Sequence, residues 1–250
     1  MAEYCRIFYP ESQFGGFTDI DGTVVFYTRV NALLLPAFVV LDVGCGRAAF
    51  AETDKQASRS LRTLKGKCAK VLGIDVDSVG LDNHTIDEFR LIQGLSWPVQ
   101  DASVDVVLSD YVLEHLDRPD IFFSEIDRVL KPGGYVCIRT ANAWSYVCLL
   151  SRLIPHKHHA KVLAAVQDAR KEEDVFPTRY LCNSPRKIRK AFRRLGYDHA
   201  VYGYEAEPSY LSFSRLAYWL GVLHQKYAPR FLKPAIFAFA RKPGSAPASP

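Results

Sequence analysis

No apolar run in the 250-residue sequence exceeds ten residues, and the longest, 32–41, is interrupted by Pro36. A bilayer-spanning helix needs about 20 predominantly apolar residues, so no span is expected. Glu3 and Arg6 sit among aromatics near the N-terminus with no apolar h-region and no small-residue cleavage site, so no secretion signal is expected either. No C-x-x-C pair occurs among the six cysteines, Cys5, Cys45, Cys68, Cys137, Cys148 and Cys182. In a chain this long that argues against a disulfide framework and against a structural zinc, and a reducing cytoplasm is the expected setting. Neither sign of charge dominates: 32 basic residues against 27 acidic ones leave +5. A dedicated nucleic-acid binder gathers a stronger excess on one face, so DNA is not expected as a partner. No internal repeat is present.

What remains is ordinary for a globular protein, with 48% apolar and 24% charged residues. The length favours one large domain, or one domain with insertions. Short apolar runs rich in β-branched residues lie at 38–41, 71–74, 104–108 and 135–138, each ending at a polar or glycine turn. Between them lie helical patterns. The clearest is 119–130, where Ile121, Phe122, Ile126, Val129 and Leu130 share a face and Lys131-Pro132-Gly133-Gly134 predicts the stop. The alternation predicts a doubly wound parallel sheet with helices on both faces and ligands at the carboxyl ends of the strands. Ser184 as N-cap, Pro185 at the first position and Gly196 at the end frame a further helix. Strands are expected at 200–204 and 235–240, with an amphipathic segment over 210–227 between them.

Asp42-Val43-Gly44-Cys45-Gly46 places a glycine turn directly after the first strand, where a ligand can approach the backbone with no Cβ in the way. Asp75 closes the second strand, where a carboxylate accepts both hydroxyls of a ribose. The glycines alone do not separate this pattern from a dinucleotide fold, since Ala49 completes that fingerprint formally. Downstream come the stretch from Trp97-Pro98 through Asp101-Ala102-Ser103-Val104-Asp105, then Ser109-Asp110-Tyr111-Val112-Leu113-Glu114-His115, and Arg128-Val129-Leu130-Lys131-Pro132-Gly133-Gly134. In this order, from Val39 to about Thr140, the sequence resembles a class I S-adenosylmethionine-dependent methyltransferase of the small-molecule type.

The resemblance implies a Rossmann-like, doubly wound α/β sheet of seven strands, mostly parallel with an antiparallel last strand, plus helical cap insertions. It implies S-adenosyl-L-methionine as cofactor. Asp42, Gly44, Cys45 and Gly46 would hold its methionine part, and Asp75 its ribose. Val76 would pack on adenine, with Gln93, Gly94 and Leu95 at the adenine amino group. Ser109 and Asp110 would line the pocket near the sulfonium. Two positions depart from the family pattern: Ala48 replaces a third glycine, and Gln93 replaces an acid whose hydrogen bond its carbonyl can still accept. Cys45 is expected to contribute backbone only, and Asp77 to cap a helix. The expected organisation is a single domain over 1–241, with a cap at 1–36, the core at 37–142, cap insertions at 143–183 and 205–233, and a disordered tail at 242–250.

Methyl transfer from a sulfonium is an in-line displacement with a good leaving group; it needs alignment and, for a hydroxyl acceptor, a base, but no metal. His115, just past the fourth strand, is the candidate base. The loop there is not Asn/Asp-Pro-Pro-aromatic and no Pro-Cys pair occurs, which speaks against amino-group and carbon-5 methylation of bases. An oxygen acceptor is expected, on a small molecule, a glycan or a lipid-linked intermediate; RNA, protein and a non-catalytic cofactor-binding fold are the alternatives. The caps and the adjoining strand carry Phe8, Tyr9, Phe14, Phe17, Tyr27, Trp144, Tyr146, Tyr204, Tyr210 and Trp219, rings that stack on sugars, hold lipids or surround a sulfonium when they are not core. His156, His158 and His159 lack the spacing of a metal set. The basic run 186–194 reads as a solvated helix face, with anionic lipid heads, a pyrophosphate or RNA as the other reading, so peripheral membrane contact stays open. Asp19-Ile20-Asp21-Gly22-Thr23 matches the nucleophile loop of haloacid-dehalogenase-type phosphatases, but Gly15 and Gly16 spoil the strand that chemistry requires. Asp21 or Thr23 capping a helix is the expected role.

Overall fold

The computed structural model describes residues 3–153 and 177–244. The elements in chain order are α1 (Glu3–Phe8), α2 (Gly22–Leu33), β1 (Val39–Val43), α3 (Gln56–Arg62), β2 (Lys70–Asp75), β3 (Glu88–Leu91), β4 (Val104–Asp110), α4 (Pro119–Val129), β5 (Leu130–Ala141), α5 (Tyr146–Leu153), α6 (Pro185–Arg194), β6 (Asp198–Tyr204), α7 (Arg215–Tyr227) and β7 (Ala235–Arg241). The seven strands form one sheet in the order β3-β2-β1-β4-β5-β7-β6. All pairs from β3 to β5 are parallel, and β7 runs antiparallel to both its neighbours.

The central strands read as continuous apolar runs because both faces are covered. Leu41, Val43, Val107, Val136 and Ile138 pack under α4 and α6 through Phe122, Ile126, Ile188 and Phe192. The alternate residues Val40, Val106, Leu108 and Cys137 pack under α2 through Phe26 and Val30. Helix α2 is therefore a layer of the core, whereas the sequence reading had set 1–36 apart as a cap. Asp21 caps it, accepting from the amides of Thr23 (2.8 Å) and Val24 (3.0 Å). No strand leads into Asp19 or Asp21, so the geometry of a phosphatase nucleophile loop is absent there.

Three boundaries differ from expectation. Residues 131–134 are the start of β5 rather than a turn: the chain passes directly from α4 into the strand, with a register shift between Val104 and Val106 on its partner. The third of the seven expected strands had no residues assigned to it; β3 is a four-residue edge strand in which Glu88 and Arg90 alternate with Phe89 and Leu91. Lys242 belongs to the fold rather than to a loose tail, its amide donating to Gly134 O (2.9 Å) and its Nζ to Leu130 O (3.0 Å). The histidines at 156, 158 and 159 lie outside the described residues.

Candidate cofactor and active site

Parallel strands β1, β2, β4 and β5 end side by side, and the chain's polar strand-end residues collect at that edge. The turn after β1 needs its glycines: φ is +71° at Gly44 and +50° at Gly46, and a Cβ on Gly44 would lie 2.4 Å from Val112 Cγ2. Beside Gly46, by contrast, there is nothing within 4 Å of where a Cβ would stand, so the backbone is open to a ligand. Asn83 anchors the turn from behind, Nδ2 donating to Cys45 O and Gly46 O at 3.0 Å each. The Cys45 side chain packs against Gly73 in the core, so only its backbone faces the turn.

Asp75, 9% exposed at the end of β2, accepts from the amides of Gly46 (Oδ2, 2.9 Å) and Asp77 (Oδ1, 3.1 Å). Each oxygen keeps a second lone pair for an incoming hydroxyl. Next to it Val76 is 68% exposed, and Leu95, in the loop after β3 with Gln93 and Gly94, is 64% exposed. Exposed apolar groups in the two loops that follow neighbouring strands β2 and β3 are the residue type a flat heterocycle would need. Asp77 caps the turn at 78–82 through Val79 N (3.0 Å), as expected.

Asp42 carries a carboxyl pushed up to about 7, by burial first and then by the charges of Asp110 and Asp75, with Arg62 pulling it down. No hydrogen-bond donor is among these influences. An ammonium placed at the glycine turn would answer it. The chain thus offers the residue types that the adenosyl, ribose and amino-acid parts of S-adenosylmethionine require, and the fit is good.

Toward β5 the outcome departs from the sequence reading. Ser109 is fully buried, and its Oγ has no hydrogen-bond partner among the described residues, so its side chain does not line an open pocket. Asp110 is engaged with Arg139, which donates from Nε (2.6 Å) and Nη2 (2.7 Å) in a bidentate pair. Tyr27 OH donates to Asp110 at 2.9 Å, and Arg139 Nη1 reaches Thr23 Oγ1 at 2.9 Å. Burial alone would raise the Asp110 carboxyl; Arg139, joined by Arg62 and the Tyr27 hydroxyl, outweighs it and holds the group below its usual range. Arg139 also lies over the rings of Phe26, Tyr27 and Tyr111 at 5.1–5.5 Å. Arg62 stacks on Phe50 at 4.2 Å. Arg139 carried one sequence signal, a cation ending an apolar strand at the functional edge. Tyr27 was one of ten candidate rings in the sequence, whereas Arg62 and Asn83 carried no signal, because only the fold brings them there.

His115 Nδ1 lies 3.0 Å from Pro177 O. A carbonyl accepts only, so Nδ1 carries the proton and the acceptor lone pair sits on Nε2. Glu114 is turned inward, taking a hydrogen bond from Thr140 Oγ1 at 2.8 Å. Among the described residues no three His, Cys, Asp or Glu side chains gather to hold a metal ion.

Ala48 adopts the left-handed conformation (φ +59°, ψ +44°) at the position where a glycine is often found. A non-glycine residue pays about 1 kcal/mol there. Ala48→Gly is expected to stabilise the fold by about 0.5–1 kcal/mol, read by urea denaturation; a loss would mean that the buried methyl matters more than the strain.

A family profile described as Methyltransferase domain matches residues 41–138. The fatty-acid O-methyltransferase of Mycolicibacterium smegmatis is 34% identical over 102 residues, 38% of this chain and 34% of that protein. The ubiquinone biosynthesis O-methyltransferase of Leptothrix cholodnii is 29% identical over 143 residues, 53% of this chain and 57% of that one. The chain thus spans about a third to about three fifths of these curated relatives. Among solved structures, a SAM-dependent methyltransferase from Archaeoglobus fulgidus superposes with a TM-score of 0.55 at 18% identity, covering 96% of this chain and all of that one. Residues 41–138, which hold the glycine turn and Asp75, are thus similar to a methyltransferase domain, and the seven-stranded sheet around them is the fold of S-adenosylmethionine-dependent methyltransferases of known structure.

Proposed function

We propose that this chain transfers a methyl group from S-adenosylmethionine to an oxygen of a small lipidic or lipid-linked acceptor. The observation that carries the reading is Asp75, held by two backbone amides between the open glycine turn and the exposed Val76. S-Adenosylmethionine, when bound, supplies the methyl group on its sulfonium. Asp75 accepts the ribose hydroxyls, Val76 and Leu95 flank the adenine, and the Gln93 side-chain carbonyl takes its amino hydrogen. Gly44 and Gly46 leave the backbone open, and Asp42 offsets the positive charge of the amino-acid part. Asp110, Arg139 and Tyr27 form a rigid charged wall at the β4 and β5 ends, in place of the sulfonium contact first expected of Ser109 and Asp110. His115 takes the proton of a hydroxyl acceptor at Nε2; a carboxylate acceptor, already ionised, needs no base. The oxygen acceptor is supported by the names of the relatives, and its apolar character by the exposed rings of Trp144 and Tyr210 on the flanking segments.

Calorimetric titration with S-adenosylhomocysteine tests the site. Wild type is expected to bind in the micromolar range, Asp75→Ala to lose about 100-fold or more, and His115→Ala to bind as wild type while losing turnover on hydroxyl acceptors only. Absence of binding to wild type would overturn the reading in favour of a fold without the chemistry.

A further inference from the structure

The helix α7 has two apolar faces. Tyr218, Gly221 and Val222 are buried, Tyr218 completely, against Cys5 and Tyr9 of the N-terminal segment. On the other side Leu216, Trp219, Leu220 and Tyr227 fall within about 100° of one another at helical spacing, and all four are exposed, Leu216 at 66% and Tyr227 at 78%. The turns at either end extend the stripe with Phe213 (76% exposed) and Phe231 (59%). Exposed apolar surface of this extent marks an interaction face.

Its charge says with what. Residues 209–234 contain no Asp or Glu, whereas Arg215, Lys226 and Arg230 stand exposed along the helix and its flanking turns. The remaining cation, Lys233, is buried with Glu205, 3.5 Å away. Apolar side chains and amphipathic aromatics bordered by the cations Arg215 and Lys226, with Arg230 turned onto the Tyr202 ring (5.8 Å), are the composition of a helix lying in a lipid headgroup layer. A second copy of the chain would set these cations against themselves, a like-charge contact with no acid to relieve it.

We infer that α7, with Phe213 and Phe231, is a docking face for an anionic lipid bilayer surface, beside the mouth of the candidate active site. The connection to that site is built in. Asn142, just past the end of β5, donates to Phe231 O (2.7 Å) and Lys233 O (2.8 Å). His224 of α7 packs on the Tyr146 ring at 4.9 Å and meets Glu205, which directly follows β6, at 2.8 Å. The face is therefore fixed to the carboxyl edge of the sheet. Binding to lipid is independent of the methyltransferase reading; delivery of a lipid-borne acceptor to the edge rests on it.

The full chain, mixed with phosphatidylcholine vesicles with and without phosphatidylglycerol, decides the matter by co-sedimentation and tryptophan emission. The expected result is partition onto the anionic vesicles with a blue shift of emission, weakening as salt rises. The variant Leu216→Glu/Leu220→Glu changes exposed positions only. It is expected to lower partition about tenfold or more while leaving the melting temperature and S-adenosylhomocysteine affinity as in wild type. Failure of wild type to partition at low salt, or equal partition of the variant, overturns the inference. So does a wild-type dimer in sedimentation that the variant dissolves, which would give the face to a second copy. Vesicle binding with no S-adenosylhomocysteine binding would strike the functional reading alone.

Discussion

Asp110→Asn is expected to lower stability by about 3–5 kcal/mol, the cost of leaving a buried charge without its partner. The side chains of Asp110 and Arg139 are 8% and 6% exposed. Removing the carboxylate charge leaves the Arg139 guanidinium with one amide oxygen, Thr23 Oγ1 and three ring faces, and takes a counter-charge from Arg62 at 3.4 Å as well; ring faces return only part of the lost hydration. A cost of this size is a large fraction of the stability of an ordinary domain, so the midpoint in urea should fall well below that of wild type. The double variant Asp110→Asn/Arg139→Met provides the control. With both charges gone the desolvation cost disappears, and most of the loss should be regained. If the single variant unfolds at the wild-type midpoint, or the double variant is as unstable as the single, the pair does not carry the local structure in the way its geometry indicates.

Cofactor affinity is expected to rise with pH through about 7, the value to which the Asp42 carboxyl is raised. S-Adenosylmethionine brings an ammonium and a sulfonium, so it prefers the ionised carboxylate. Below about 7 Asp42 must give up its proton for binding, and affinity falls by up to roughly tenfold per pH unit, the limit for one exchanged proton. Asp42→Asn should flatten the profile at the level wild type shows in acid. Stability without cofactor moves the other way. The folded carboxyl holds its proton to a higher pH than the unfolded one, so the folded state binds more protons between the ordinary value of 3.8 and about 7. Stability therefore falls as pH rises through that window, and Asp42→Asn removes this slope. Titration calorimetry with S-adenosylmethionine and thermal melts across the window check both halves. An affinity independent of pH, or an unchanged slope in Asp42→Asn, would show that Asp42 stays ionised throughout.

The glycine turn and the acidic end of β2 were legible because each is local in sequence. A glycine turn must follow a strand directly, and Asp75 must close the next strand. Gly44, Gly46 and Asp75 therefore sit where the residue order put them. The strands and α4 were legible for the same reason, since apolar period and flanking turn residues report burial directly. Lys131 to Gly134 marked the end of α4 correctly but hid the strand that begins there, because a Pro-Gly-Gly sequence is also compatible with the irregular first residues of a strand that carries a register shift. Strand β3 escaped notice because an edge strand of alternating charge and ring looks like a loop until a neighbour supplies its hydrogen bonds.

The sequence by itself determined the central strands, the glycine turn after β1 and the acid that closes β2, because each rests on residues within one turn or one strand, while the resemblance to methyltransferases rests on the order of such segments from Val39 to Thr140. Tertiary structure alone decided that Asp110 belongs to Arg139 and Tyr27, which lie 29 and 83 positions away in the chain. It also decided which face of α7 is spent on the core and which stands exposed. Pairing across the sheet edge depends on which strands become neighbours, and the fate of an apolar stripe depends on what covers it; neither quantity is local to the chain.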